Sequence, residues 1–284
     1  MVILSSVIDN KKSDDVMPTD STRSVISYRR IIIRFILVIS VMVSLNLYAS
    51  WQGDDVFADS KDTVEKRVRT VSCSDDYVKE REKFPVCVPK WCGRIVMDNI
   101  VSKTEAQQLL RMAKAGLGLG GSHGGASILD IHSGALSKGD KFVDVFRTVK
   151  DKIHTAIAGA FGISKDSLYL TSPTFFSRMT SKPARTIHDE YWHIHVDKET
   201  YGSFHYTSLL YLTTYNQDFT GGRFVFVDKG RNTTVEPKLG RVSFFTSGWE
   251  NPHFVEKVRS GTRYAITVSF TCDPDKAIGD PTMR

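Results

Sequence analysis

Residues 188–213 read HDEYWHIHVDKETYGSFHYTSLLYLT, and the spacing of polar against apolar positions in this stretch decides the fold of the last third of the chain. His195 and Asp197 stand two positions apart, so on a β-strand both side chains leave the same face. The run from Tyr206 to Thr213, YTSLLYLT, reads as a strand. A long interval of strand-like sequence then leads to His253, and Arg263 lies beyond it. Two imidazoles and one carboxylate on one face, with positions open opposite, suit Fe(II). His188-x-Glu190 and His193-x-His195 also fit a strand, although the charged VDK at 196–198 favours the His195/Asp197 register. On that register His193 faces the same side, behind the ligands. Arg263 alternates with Ala265, Thr267 and Ser269 on one strand face, and a buried arginine needs an anion, either an internal Asp or Glu or a bound carboxylate.

The surrounding order adds specificity. GGRFVF at 221–226 is a tight glycine turn entering a strand, followed by RVSFFT at 241–246, NPHFV at 251–255 and GTRYAITV at 261–268. This order resembles the prolyl 4-hydroxylase-like branch of the 2-oxoglutarate and Fe(II)-dependent dioxygenases, from about Thr174 to Cys272. GGASILDIHSGAL, PTFFSR, HDEYWHIHVDK, YGSFHYTSLLYL and VEPKLGRVSFFTSG carry a resemblance within that family across almost everything after the N-terminal apolar segment.

The resemblance implies Fe(II) on His195, Asp197 and His253. It implies 2-oxoglutarate held at its distal carboxylate by Arg263, with Tyr211 donating to the same group, and L-ascorbate keeping the iron reduced. O₂ and 2-oxoglutarate would be consumed, succinate and CO₂ released, and an unactivated C–H bond hydroxylated in an unknown substrate, with a protein among the candidate classes. One alternative is a catalytically silent jelly-roll binding module. Another is a type II glycosyltransferase using Asp273-Pro274-Asp275, for which no α/β nucleotide domain is visible.

The chain has 284 residues, 41% hydrophobic and 25% charged, enough for one catalytic domain and a short preceding region. Its net charge of +6 is scattered, without a basic stripe or aromatic ladder, so no nucleic-acid partner is expected. Arg23, Arg29, Arg30 and Arg34 precede the apolar run FILVISVMVSLNLYA at 35–49, and Asp54, Asp55 and Asp59 follow it. Charge asymmetry of this kind predicts a single transmembrane signal anchor with the C-terminal part in the lumen of the endoplasmic reticulum or Golgi. A signal peptide cleaved near Ala49 is the rival reading. Cys73, Cys87, Cys92 and Cys272, in three alternative pairings, and the sequon Asn232-Thr233-Thr234, a glycan acceptor, agree with a lumenal placement.

Further along, Ser102-Lys103-Thr104-Glu105 is a capping box, with Ala106, Leu109, Leu110 and Ala113 at helical spacing and Gly116 as the stop. The GLGLGG at 116–121 follows a helix with no strand feeding it, which excludes a dinucleotide site and leaves a loop over 116–125. A second helix is predicted over 141–161, striped by Phe142, Val145, Phe146, Val149, Ile153, Ile157 and Phe161, with Gly162 beyond it. From Leu168 onward short β runs alternate with Gly, Pro and Asn. His123, His132, His154 and His205 read as structural or surface histidines.

The expected fold is mostly β with flanking α-helices, a double-stranded β-helix (jelly roll) preceded by one transmembrane helix. The expected divisions are a cytosolic tail at 1–30, an anchor at 31–50, a cysteine-bearing lumenal stem at 51–92 and a catalytic domain at 93–284.

Overall fold

A computed structural model describes residues 21–52, 55–118, 124–132 and 140–281. The chain divides into two compact units, Met1–Gly53 and Asp54–Arg284. In the first, α1 (Ser21–Gln52) is a single helix. Among the described residues no helix is long and apolar enough to cross a membrane. In its described side-chain stretch, 28–46, Arg29, Arg30 and Arg34 leave an uncharged run of only residues 35–46, shorter than the roughly 20 apolar residues a bilayer span requires. This corrects the expectation of a transmembrane helix and overturns the type II lumenal placement that depended on it.

The second unit contains β1 (Asp55–Ala58), β2 (Arg67–Val71), α2 (Asp75–Lys83), β3 (Cys92–Met97), α3 (Lys103–Gly118), β4 (Ala126–Asp130), α4 (Asp140–Phe161), β5 (Tyr169–Leu170) and β6 (Phe175–Thr180). It continues with α5 (Asp197–Tyr201), β7 (Tyr206–Tyr211), β8 (Phe219–Gly221), β9 (Phe224–Phe226), β10 (Thr233–Val235), β11 (Val242–Thr246), β12 (His253–Val255) and β13 (Val258–Thr271). One sheet runs β2-β3-β11-β7-β13-β6-β4, with β5 and β8 also paired to β13; a smaller one runs β1-β10-β9-β12. The jelly-roll expectation is met.

The two-residue period of each central strand feeds two cores. Leu210, Phe244, Ile266 and Phe270 pack on one side of the large sheet with Leu109 and Ala113 of α3 and Phe146, Ile153 and Phe161 of α4. The alternate residues Leu209, Tyr211, Phe245 and Ala265 meet Phe224, Phe226, Val235 and Val255 of the small sheet. Two helices therefore cover the outer face, and the inner face is free to line a site. The capping box is present: Ser102 N–H donates to Glu105 Oε2 at 2.8 Å and Glu105 N–H to Ser102 Oγ at 3.2 Å. α3 ends two residues later than its first glycine suggests, and residues 119–123 of the predicted loop lie outside the described residues.

Residues 55–92, read from sequence as a stem, are woven into this unit. β1 adds to the small sheet parallel to β10, and β2 pairs antiparallel with β3 at the edge of the large sheet. Disulfides Cys73–Cys92 and Cys87–Cys272 bracket α2. The fully buried Arg241 binds Asp98 through Nε at 2.8 Å and Nη2 at 3.0 Å. It also donates to the carbonyls of Ala58, Asp59 and Asp62, so one guanidinium ties the N-terminal segment to the sheets.

Candidate metal centre

His195 forms only an isolated bridge with His253, and the helix α5 begins at Asp197. Strand membership was thus over-read, but Val196 is extended (φ −120°, ψ 124°), which keeps His195 and Asp197 on one side. The peptides of His195 and His253 exchange both hydrogen bonds, at 2.9 and 3.0 Å. Their rings come within 4.4 Å of one another, and His253 is flanked by Phe224 at 4.9 Å and Phe245 at 5.0 Å.

One carboxylate oxygen faces both imidazoles: Asp197 Oδ1 lies 3.6 Å from His195 Nε2 and 3.6 Å from His253 Nε2. One ligand atom from each residue lies within 4.8 Å of the others, a spacing a metal ion could bridge. His195 Nδ1–H donates to the His193 carbonyl at 3.0 Å and His253 Nδ1–H to the Asn251 carbonyl at 2.9 Å. A carbonyl can only accept, so Nδ1 carries the proton and each Nε2 lone pair is left for a metal. Burial and the neighbouring His253 lower the pKa of His195, keeping it neutral. Burial alone would raise the Asp197 carboxyl, but His253 and His195 in their protonated form, together with the Thr207 hydroxyl, outweigh it and lower it from the ordinary range.

The triad opens into a cavity of about 380 Å³ lined by Leu209, Phe224, Val255, Met179, Tyr191 and Arg263, among others. Arg263 is 1% exposed. Its Nε donates to the Gly222 carbonyl at 3.0 Å, and Nη2 has no hydrogen-bond partner. Among the described residues no carboxylate lies within ion-pair distance, so the internal salt bridge that sequence allowed is not formed. Tyr211 sits with its ring centre 5.5 Å from the guanidinium carbon, but its hydroxyl engages Ser243 Oγ at 3.1 Å, and it does not line the cavity. Tyr191 does line it and was not singled out from sequence.

His193 lies at the rim, 2.6 Å from Glu190 Oε2. His205 meets Glu80, His154 stacks on Phe270 and His132 reaches the Gly279 carbonyl, away from the triad. His123 and the His188 side chain lie outside the described residues. Thr207 and Ser247 beside Asp197 were also missed, although the strand period of Leu209 and Tyr211 points Thr207 inward.

Residues 178–271 match the family described as the 2OG-Fe(II) oxygenase superfamily. The chain is 54% identical over 271 residues to 2-oxoglutarate and iron-dependent oxygenase domain-containing protein 3 of Xenopus tropicalis, covering 87% of this chain and 85% of that one. The chain belongs to the 2OG-Fe(II) oxygenase superfamily. Prolyl 3-hydroxylase 2 of Gallus gallus is 29% identical over 64% of this chain and 30% of its own length. A Burkholderia pseudomallei oxidoreductase of the 2OG-Fe(II) oxygenase family shares the fold, with TM-score 0.50 and 13% identity over 75% of this chain and 95% of that one.

As a 2OG-Fe(II) oxygenase the chain is an oxidoreductase that uses Fe(II), 2-oxoglutarate and O₂ with a substrate. Its residues fit that requirement on their own evidence. Two imidazoles and a carboxylate with Nε2 and Oδ1 turned inward suit Fe(II), and the unpaired buried Nη2 of Arg263 suits a carboxylate.

Proposed function

We propose that this oxygenase hydroxylates an unactivated C–H bond of a polypeptide, with Fe(II) on His195, Asp197 and His253 and the distal carboxylate of 2-oxoglutarate on Arg263. The orphaned guanidinium nitrogen carries this reading, because leaving a buried cationic donor unpaired is costly unless an anion completes it. Tyr211 contributes through its ring beside Arg263, while its hydroxyl stays with Ser243.

With iron bound, oxidative decarboxylation of 2-oxoglutarate to succinate and CO₂ supplies the oxidising power for inserting one oxygen atom into the substrate. The chain's own residues do the rest. His195, Asp197 and His253 would hold the metal, with the adjoining cavity available to cosubstrate and O₂. Arg263 would hold the far carboxylate of the cosubstrate and leave its keto-acid end for the metal. Leu209, Phe224 and Val255 exclude water around the reacting centre. L-ascorbate would restore reduced iron after turnovers that fail to hydroxylate.

Similarity to a protein named prolyl 3-hydroxylase 2 makes prolyl residues the first target to test. Purified chain with Fe(II), ascorbate, 2-oxoglutarate and a panel of prolyl, lysyl and asparaginyl peptides should release succinate in step with a peptide gaining one oxygen atom. Succinate formation that no peptide stimulates would reject a polypeptide substrate.

A further inference from the structure

Asp197 makes a hydrogen bond on the side turned away from the two histidines. Thr207 Oγ1 donates to Asp197 Oδ2 at 2.6 Å, and Ser247 Oγ lies 2.8 Å from Thr207 Oγ1. Ser247 N–H donates to the Tyr77 hydroxyl at 2.9 Å, and that hydroxyl donates to the His205 carbonyl. The Ser247 carbonyl accepts from Lys198 N–H at 3.0 Å, one residue after Asp197. Thr207, Ser247 and Tyr77 are all buried, so no solvent competes for these bonds.

We infer that Thr207 is a positioning residue that makes Asp197 a one-oxygen ligand, with Ser247 and Tyr77 fixing Thr207; this rests on the metal site proposed above. A carboxylate has two equivalent oxygens, and one free to turn would present both to a metal, filling two positions. Here Oδ2 is occupied by a short charge-assisted bond, and only Oδ1 stands 3.6 Å from both Nε2 atoms. Thr207 has one hydroxyl proton and commits it to Asp197. Ser247 must therefore donate to Thr207, which orients the threonine hydroxyl. Tyr77 belongs to α2, which the two disulfides bracket, so the last link is anchored to a covalently fixed element.

The test uses the full chain freed of metal and titrated with Co(II), followed by visible absorption. Thr207→Val should weaken Co(II) binding by about ten- to a hundred-fold, the range for losing a partner of a metal ligand. Thr207→Ser restores the hydroxyl and should recover most of the loss, and Ser247→Ala should fall between. The KM for 2-oxoglutarate at saturating Fe(II) should rise by more than about two-fold in Thr207→Val, because an Asp197 free to offer both oxygens takes a position the cosubstrate needs. Equal Co(II) affinity in parent and Thr207→Val, or no recovery in Thr207→Ser, overturns the inference. Should the valine variant not fold, Ser247→Ala decides: an affinity equal to the parent's overturns it, and a weakened one supports it. A parent chain that binds no Co(II) overturns the metal site itself.

Discussion

The peptide groups of His195 and His253 are hydrogen-bonded to one another in both directions, although 58 residues separate them. The two imidazoles are therefore held at their spacing by main chain, and the metal does not have to create it. Side-chain substitutions at the triad should consequently remove chemistry without removing the fold.

His195→Ala and Asp197→Ala should each bring 2-oxoglutarate turnover down to background while the circular dichroism spectrum and cooperative melting persist. Succinate release and a fluorescence melt on the same preparation check both halves. Parent-level succinate from Asp197→Ala would remove Asp197 from the ligand set.

Arg263→Lys keeps the charge but loses the forked donor, and Arg263→Ala loses both. A charge-assisted hydrogen bond contributes about 1.5–3 kcal/mol, so the KM for 2-oxoglutarate should rise about ten- to a hundred-fold in the alanine variant. An unchanged KM in both variants would return Arg263 to a purely structural role.

Tyr211→Phe removes the hydroxyl and keeps the ring beside Arg263. Since that hydroxyl engages Ser243 and does not reach the cavity, the KM for 2-oxoglutarate should move by less than about two-fold, below the roughly two- to twelve-fold that losing one neutral hydrogen bond would cost. A larger rise would show the hydroxyl leaving Ser243 to donate to the cosubstrate.

Glu80 should contribute to stability in acid. Burial alone would raise its carboxyl, but the neighbouring His205 imidazole and the Lys198 ammonium that donates to it outweigh burial and bring it down to about 2. A depressed folded-state value means the contribution is complete above the ordinary carboxyl range and is lost as pH falls toward 2. Melting temperature followed from neutral pH into that window should drop less steeply in Glu80→Gln than in the parent. Parallel curves would assign the acid sensitivity elsewhere.

Breaking Cys87–Cys272, whose partners are 185 residues apart, should cost about 2–5 kcal/mol. Denaturant unfolding of the double serine variant, compared with the parent in oxidising buffer, gives the difference directly.

Spacing alone leaves His188/Glu190, His193/His195 and His195/Asp197 equally possible, since each pair shares one face of extended backbone. The VDK at 196–198 and the resemblance in motif order select His195 and Asp197, and the resemblance adds His253. The jelly roll is legible in the alternation of Leu209 with Leu210 and Phe244 with Phe245, and α3 in its capping box. β1 and β2 are hidden because DVFA and RVRTV are short, charged edge strands without a clean period. Their place depends on Arg241 and on cysteine pairings that spacing cannot select. Thr207 is concealed by chemistry: an inward threonine on a strand looks like ordinary filling until a carboxylate is beside it. The apolar run near the N-terminus misleads because the arginines before it, Arg29, Arg30 and Arg34, read as flanking charges of an anchor, whereas on the described helix they shorten its uncharged stretch.

A fragment cut at Gly93 would contain the whole triad and still be a poor enzyme. It would strip one strand from each sheet, leave Arg241 without the three carbonyls it holds at Ala58, Asp59 and Asp62, and leave Cys272 as a lone thiol. It would also delete Tyr77, whose hydroxyl accepts from the Ser247 N–H beside Thr207 and Asp197. The smallest piece worth expressing starts at Asp54, and it needs an oxidising folding environment to mature.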